Sequence, residues 1–303
     1  MGLKLKYIFN FALMFPEYIT ESKLRAFIKS ALIEDVGTGD HSSLACIPAE
    51  AVGAAKLIFK EEGIVAGLEM AEKIFHQIDK KLKVEFQKID GDEIKKGEIG
   101  LVVTGNKQAI LKAERLVLNC LQRMSGIATQ TRQYNDQISH TKAKLLDTRK
   151  TTPNFRMMEK WAVRIGGGKN HRFGLYDMIM LKDNHVDYAG GIKNAINSTV
   201  KYLLTNCLDL RIVIETRNIE EVKQVIQNGT GKVHRILLDN MMLSTTAEAV
   251  KLINKQFETE ASGNINLNNI KSVAETGVDY ISVGKITHTY KSLDMSLKAV
   301  QEL

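Results

Sequence analysis

Four strand-like runs in the second half of the chain end at Glu215 (RIVIE), Asp239 (RILLD), Ser262 (TEAS) and Gly284 (YISVG), at intervals of 24, 23 and 22 residues. Helical patterns such as NIEEVKQVIQNG and NLNNIKSVAETG occupy the intervals, the latter closing on Gly277 as a C-cap. Two earlier runs, ending at Asp147 (AKLLD) and Lys182 (MIMLK), extend the series. Strand–helix units of this length imply parallel strands joined by right-handed crossovers. The sequence has no G-x-G-x-x-G dinucleotide fingerprint. The pattern therefore predicts a TIM-like α/β barrel, short of eight full units, over a doubly wound sheet.

In such barrels the chemistry sits where strands end and loops begin. Each run delivers a polar or glycine residue there: Asp147 with Arg149 and Lys150, then Lys182, Glu215, Asp239, Ser262-Gly263 and Gly284. Packing alone does not require a charge at so many of these positions. Residues 147–185 also gather Arg149, Lys150, Arg156, Arg164, Lys169, His171, Arg172, Lys182 and His185 around Gly166, Gly167 and Gly168. A solvated helix face is the ordinary meaning of a charge run. Here Thr151, Thr152, Pro153 and the glycines interrupt the cations, a composition that favours loop over helix. Fixed cations on permissive backbone suit a small ligand carrying several negative charges.

The first half reads differently. Thr20 is a helix cap, followed by Leu24, Phe27, Ile28, Ala31 and Leu32 at helical spacing and an acidic, glycine-punctuated loop over 34–40. Residues 51–105 read as short strands of an antiparallel sheet. DGDEIKKGEIGLVV resembles the hammerhead turn of biotinyl and lipoyl carrier domains but has no lysine in the carrier turn, so it is read as structural. A helix then places Ala113, Leu116, Val117, Cys120, Leu121 and Met124 on one face. The expected fold class is α/β: an incomplete TIM-like α/β barrel with an N-terminal α+β sandwich domain. Its expected divisions are an N-terminal domain over 1–115, a barrel over 116–287, and a C-terminal helix over 288–303 packing back on the N-terminal domain.

The 303 residues, 44% apolar and 25% charged, suit an ordinary globular protein, and three prolines exclude a linker-rich one. The formal charge of +7 admits nucleic acid, a membrane surface or an anionic small molecule. Concentration of the basic residues in one glycine-rich block selects the last, with no nucleic-acid or membrane partner expected. Cys46, Cys120 and Cys207 lack metal-ligand spacing and read as single thiols in a reducing, cytoplasmic compartment. Cys120 lies on the apolar helix face. No apolar run approaches transmembrane length, and Tyr7 to Phe15 is short, broken by Asn10, and lacks a cleavage site. Met14 is read as the natural start, with residues 1–13 an extension.

Glu215 and Asp239 end consecutive strands and should be neighbours. As a pair they suit glycosidase-like acid/base work or a shared Mg²⁺ already bound to substrate phosphates. Ser262-Gly263-Asn264 and Ser282-Val283-Gly284 on the next strand ends favour the second, because late barrel strands followed by glycine turns commonly hold a phosphate. Lys182 at a strand end also admits Schiff-base chemistry, but its crowding by other cations fits anion binding. His41, His76, His140, His234 and His288 lack metal-ligand spacing, and His185 is either a site residue or a cap for the loop after Lys182. Trp161, Met157 and Met158 read as helix packing.

EDVGTGD (34–40), ERLVLNCLQRMSGIAT (114–129), DTRKTTP (147–153), GGGKNHRFGLYD (166–177), LKDNH (181–185), LLDN (237–240), EASGNI (260–265) and SVGKITH (282–288) together resemble the quinolinate phosphoribosyltransferases of NAD biosynthesis. The likeness runs in order from about Phe15 to the C-terminus. It implies attack of quinolinate's ring nitrogen on C1 of phosphoribosyl pyrophosphate, release of pyrophosphate, and loss of CO₂ to give nicotinate mononucleotide. It further implies that Arg149, His171, Arg172 and Lys182 bind the quinolinate carboxylates, with Arg115 donated by the second subunit of a homodimer or hexamer. Lys150 would lie between the substrates as a catalytic group. Glu215 and Asp239 would be catalytic and hold Mg²⁺, directly or through water, and Ser262, Gly263, Asn264, Ser282 and Gly284 would bind the 5-phosphate.

Two positions depart from the family pattern. Asn154 stands where many relatives have glycine after TTP, and Val213 stands where a common E-x-E would place an earlier glutamate. The nearest rivals are the phosphoribosyltransferase-like paralogue of molybdenum transport and nicotinate phosphoribosyltransferase, which needs a phosphorylatable histidine. A non-catalytic nucleotide- or nucleic-acid-binding protein is the rival from another class; it would not need glycine turns paired with acidic strand ends.

Overall fold

A computed structural model describes residues 16–300, and the expectations for residues 1–13 and Met14 lie outside them. The described chain divides into two compact units. One holds the residues through Arg132, Thr151–Gly167 and those from Thr287 on; the other holds Gln133–Lys150 and Gly168–Ile286. Among the described residues no helix is long and apolar enough to cross a membrane.

Helix α1 (Glu21–Val36) starts where Thr20 accepts the Lys23 N–H, and buries Leu24 and Ile28, one turn apart. A short α2 (His41–Cys46), capped by Asp40, precedes the strands β1 (Val52–Phe59) and β2 (Gly63–Ile64). Then come α3 (Leu68–Ile78), β3 (Lys83–Phe86), β4 (Glu93–Ile94), β5 (Ile99–Asn106) and the long α4 (Lys107–Ile138). β1 and β3 flank β5, all antiparallel, while β2 pairs with β4 apart. Period-two alternation turns Ala55, Leu57 and Phe59 inward, with Leu57 opposite Leu101 and Leu101 opposite Phe86. The expected face of α4, from Ala113 to Met124, is buried throughout.

The second unit follows the strand–helix rhythm. β6 (Lys144–Leu146) leads, through α5 (Arg156–Ile165) of the first unit, to β7 (Ile179–Leu181), α6 (Asp183–Tyr188) and α7 (Ile192–Thr205). β8 (Ile212–Thr216), α8 (Ile219–Gly229), β9 (Arg235–Asp239), α9 (Leu243–Ile253), β10 (Glu258–Ser262), α10 (Ile270–Glu275) and β11 (Tyr280–Ser282) complete it, and α11 (Lys285–His288) follows in the chain. Six strands lie parallel in the order β6-β11-β10-β9-β8-β7. First strand joins last, as in a barrel, but β6 and β7 stand at opposite ends of the sheet. Instead, Leu146 of β6 forms a parallel bridge with Lys169, covering that edge. The incomplete TIM-like α/β barrel expected from the strand spacing is therefore present.

Three expectations are corrected. Residues 68–78 form a helix inside what reads as a strand region, because Leu68, Ala71, Ile74 and Phe75 repeat at helical spacing and bury one face. The block 147–185 is not all loop: Arg156–Ile165 is helical, with Met157, Met158 and Trp161 buried as expected. Its helix-breaking residues sit at the ends, where Asn154 has φ 63° and Gly166 ends the helix. Gly166 itself is helical, and its lack of a side chain serves packing: a Cβ there would lie 2.5 Å from the Ala128 carbonyl of α4. Finally, the C-terminal segment is a strand, not a helix. β12 (Met295–Ala299) pairs antiparallel with β1, placing Leu297 opposite Leu57 and Met295 opposite Phe59. Met295 and Leu297 are buried and Lys298 is exposed, a period of two that excludes a one-sided helix. The two compact units themselves divide near 132/133, with 151–167 belonging to the first.

Candidate active site

Parallel strands end on the same side of their sheet, so the β-strand registers fix which of these residues are neighbours. Ser262 pairs with Asp239, Glu215 with Leu237, and Leu181, just before Lys182, with Ile214. Asp239 and Ser262 are thus direct neighbours, with Glu215 one strand over and two residues back. Lys182 reaches Glu215, Nζ to Oε2, at 3.8 Å. Burial raises the Glu215 pKa above the usual carboxylate range; the Lys182 ammonium pulls it down, while the Asp239 and Asp183 carboxylates push it up. Two carboxylates that disfavour each other's charge at the rim of a sheet are suited to a shared cation. Val213 is buried in β8, so Glu215 is the carboxylate that this strand contributes.

The basic half follows β6. Asp147 is fully buried and does not reach outward: Oδ1 accepts the His171 N–H at 2.8 Å and Oδ2 accepts from Asn170 at 2.7 Å. It thereby ties the 169–172 segment to the end of β6. Arg172 is 9% exposed, and its Nη1 donates to the Met178 carbonyl. Burial lowers its pKa, and the neighbouring Arg149 guanidinium lowers it further. Two guanidiniums close enough to oppose each other's charge are suited to an anion between them. Lys150 is exposed, its own N–H held by Thr148 Oγ1 at 3.0 Å. His185 proves to be a cap: its Nδ1 accepts the Lys182 N–H at 3.0 Å at the start of α6.

His171 is buried with both ring nitrogens directed inward. Nδ1 accepts the Arg172 N–H at 2.7 Å, and Nε2 stands 3.3 Å from Glu260 Oε2. Glu260 is fully buried and also takes Arg235 Nη1 at 2.8 Å. Burial alone would raise its pKa, but the hydrogen bond from His171 and the Arg235 guanidinium hold it below the usual carboxylate range.

Beyond Asp239 the chain turns sharply. Asn240, at φ 52°, gives its N–H to the Ser262 carbonyl; its side chain donates to Asp239 Oδ2 at 2.9 Å and accepts from Asn264 Nδ2 at 3.0 Å. Gly263 has φ 94° and Asn264 φ 50°, so Ser262-Gly263-Asn264 forms a tight turn against Asn240. Ser282 is buried in β11 opposite Leu146, and Gly284 follows after Val283, whose N–H donates to the Leu146 carbonyl.

One unit therefore brings Arg149, Lys150, His171, Arg172, Lys182, Glu215, Asp239, Ser262, Gly263, Asn264, Ser282 and Gly284 to the C-terminal ends of its strands or the loops that follow them. Arg115 belongs to the first unit, exposed on α4. Glu260 and Asn240 are the residues that sequence reasoning missed. A second carboxylate two places before the end of the parallel strand ETEAS is the signal that marks Glu260. For Asn240 it is an asparagine directly after the strand-terminal acid. Among the described residues no cluster of three or more His, Cys, Asp or Glu forms a ready metal cage.

The chain matches the family described as Quinolinate phosphoribosyl transferase, N-terminal domain, over residues 40–125, and its C-terminal domain over 127–298. It is 47% identical over 293 residues to the chloroplastic nicotinate-nucleotide pyrophosphorylase [carboxylating] of Arabidopsis thaliana, covering 92% of this chain and 84% of that protein. It is 40% identical to the probable nicotinate-nucleotide pyrophosphorylase [carboxylating] of Bacillus subtilis, covering 91% and 93%. The solved structure of the nicotinate-nucleotide pyrophosphorylase from Francisella tularensis superposes with a TM-score of 0.86 at 36% identity, covering 93% and 98%.

Proposed function

Because the chain belongs to the quinolinate phosphoribosyltransferase family, we propose that it transfers the phosphoribosyl group of phosphoribosyl pyrophosphate to quinolinate with loss of CO₂, yielding nicotinate mononucleotide and pyrophosphate for NAD biosynthesis. The observation that carries this reading is the opposition of Arg149 and Arg172 on the strand-end face that also holds Glu215 and Asp239. A pyridine dicarboxylate satisfies the first pair and a metal-bound pyrophosphate the second.

In this reading Arg149, Arg172 and Lys182 hold the two carboxylates and aim the ring nitrogen at the ribosyl C1, and His171 lies next to Arg172. Arg is suited to the task because its planar fork meets a carboxylate with two hydrogen bonds. Lys150 lies between the substrates and offsets charge on the departing pyrophosphate. Glu215 and Asp239 face the ribose, where a carboxylate favours the positive charge that develops on C1. The turn Ser262-Gly263-Asn264, with Ser282 and Gly284, holds the 5-phosphate. Holding both reactants in line converts a bimolecular encounter into an intramolecular step, and no protein nucleophile is required. Positive charge on the newly quaternised ring nitrogen then stabilises the carbanion character left at C2 as CO₂ departs.

The residues fit Mg²⁺: two carboxylates on adjacent strands, one with its pKa raised partly by the other, leave the remaining positions to water and substrate oxygens, as this ion prefers. When bound, it supplies charge neutralisation on pyrophosphate. Arg115 acts from a second copy of the chain in a homodimer whose sites are shared. The three free cysteines accord with a reducing compartment, taken as cytoplasm.

Incubation with quinolinate, phosphoribosyl pyrophosphate and Mg²⁺ should release CO₂ and nicotinate mononucleotide stoichiometrically. Turnover with nicotinate and none with quinolinate would overturn the assignment. For the shared site, Arg115→Ala and Arg172→Ala, each inactive alone, should regain activity when their subunits are exchanged; well-folded mixtures that stay inactive would refute it.

A further inference from the structure

We propose that Glu260 is the positioning residue of the dicarboxylate pocket, acting through His171, and that His171 sets Arg172 instead of touching the substrate. This rests on the quinolinate reading above. The geometry defines the ring's protonation. The Arg172 N–H donates to His171 Nδ1, so Nδ1 carries no proton and the ring proton sits on Nε2. Nε2 faces Glu260 Oε2 at 3.3 Å. Nδ1 accepts a backbone N–H and Nε2 is buried toward Glu260, which leaves the imidazole no N–H directed at a bound carboxylate. What the ring does control is the backbone of Arg172, whose guanidinium opposes that of Arg149.

The plainer account is that Glu260 only neutralises the buried Arg235. Two observations count against it. Arg235 already has a carboxylate: Glu258 Oε2 lies 3.0 Å from both Nε and Nη2, and the guanidinium stacks on Tyr280 at 3.8 Å. Glu260 also keeps Oε1 fully buried without a hydrogen-bond partner, a cost that a residue present only for stability would not carry. Arg235 in turn balances the Glu260 charge, so the carboxylate orients His171 without repelling an anion bound nearby. The chain Arg235–Glu260–His171–Arg172 thus runs from the interior to the pocket, each member fixed by the one beneath it.

The test pairs a spectroscopic readout with kinetics. With ¹⁵N-labelled histidine and His171→Gln to assign the signal, the wild-type ring should show the Nε2–H tautomer, and Glu260→Met should lose it. Glu260→Met should raise the KM for quinolinate roughly tenfold, about the value of one well-placed hydrogen bond. The KM for phosphoribosyl pyrophosphate should stay within about threefold, because the phosphate turn is not part of the chain. Glu260→Gln, which keeps an acceptor for Nε2–H, should restore most of the quinolinate KM. If Glu260→Met unfolds, Glu260→Gln and the wild-type spectrum still decide. An Nδ1–H tautomer in the wild type, equal rises in both KM values, or no difference between Gln and Met would overturn the proposal. Absence of wild-type turnover with quinolinate would instead sink the functional reading, and the tautomer would still report on Glu260.

Discussion

Gly263→Ala probes the phosphate turn through a single methyl group. At φ 94° the residue occupies backbone space that L side chains rarely adopt, and forcing an alanine there costs about 1–3 kcal/mol. The added Cβ would also collide with the Asn240 carboxamide, overlapping Oδ1 and Cγ and lying 2.8 Å from Nδ2. Asn240 must then leave its bonds to Asp239 Oδ2 and from Asn264 Nδ2. Each is solvent-facing and worth about 0.5–1 kcal/mol. The sum, about 2–5 kcal/mol, falls on the barrel unit, for which each kcal/mol shifts Tm by about 2–4 °C, so a loss of roughly 5–15 °C is expected. Displacing the turn should raise the KM for phosphoribosyl pyrophosphate by at least about tenfold and leave that for quinolinate nearly unchanged. Thermal unfolding and initial rates with one substrate saturating read the two effects separately. Asn240→Gly on top of Gly263→Ala removes the collision but not the backbone strain or the loss of the two hydrogen bonds, so it should cost little beyond Gly263→Ala alone, a non-additivity of about 1–2 kcal/mol that a double-mutant cycle measures. A variant with wild-type Tm and KM, or strict additivity in that cycle, would refute the argument.

Burial, countered by the N–H groups of Leu68, Gly67 and Glu69, pushes Asp90 from 3.8 up to about 7. Burial and the Asp90 charge push Glu69 from 4.5 to about 8. Raised folded-state values contribute stability that is complete below about pH 4 and lost as pH rises through 7 and 8, so Tm should decline over that window and decline less in Asp90→Asn. An equal decline in both proteins would exclude this pair as its source. In α4, Gly126→Ala would drive a Cβ into the Lys291 carbonyl, with the Ser292 Cα only 3.1 Å away. Backbone cannot rotate aside, so a loss of about 1–3 kcal/mol or more is expected in denaturant titration. Asn154, at φ 63°, should accept glycine with under about 1 kcal/mol of change but lose about 1–3 kcal/mol as valine, whose branched Cβ resists that region. Chelation of Mg²⁺ should abolish turnover without lowering the Tm of the substrate-free protein; persisting turnover would remove the metal from the mechanism.

The barrel was legible because its repeat is a consequence of geometry: a strand, a helix and two turns need a nearly constant length of chain, and the intervals ending at Glu215, Asp239, Ser262 and Gly284 have it. The rim charges were legible for the same reason, since register converts sequence spacing into neighbourhood. Local patterns shorter than the repeat were not. The strand Met295–Ala299 needs β1 as its partner, and a five-residue stretch carries no sign of a partner more than 230 residues earlier. The helix Leu68–Ile78 hid among strands because its turn-forming start, Gly67 at φ 105°, is held by Asp90, far away in sequence. Asn154 shows the converse. Its departure from glycine was visible, and the left-handed φ explains why asparagine of all residues replaces it. Glu260 escaped notice because a buried charge declares itself only through partners on other strands.

Electrostatics gives the most general reason to regard the strand ends as one site. Arg149 lowers the pKa of Arg172, and Asp239 raises that of Glu215, so each half opposes its own ionised state. A protein selected for stability alone would interleave these charges into pairs, as it does at Arg235 with Glu258 and Glu260. The Lys182–Glu215 contact bridges the halves here, at 3.8 Å and with Lys182 half exposed. Keeping like charges together is stable only when a ligand resolves both repulsions. That requires adjacent anionic groups for the guanidiniums and a cation carried on further anionic groups for the carboxylates. Quinolinate and magnesium-bound phosphoribosyl pyrophosphate meet both requirements at once, and binding either one alone should leave half of the strain in place. Each substrate should consequently tighten the other's binding, and calorimetric titration of quinolinate with and without a non-reacting pyrophosphate analogue and Mg²⁺ would detect this. Equal affinities in the two titrations would show that the halves do not communicate.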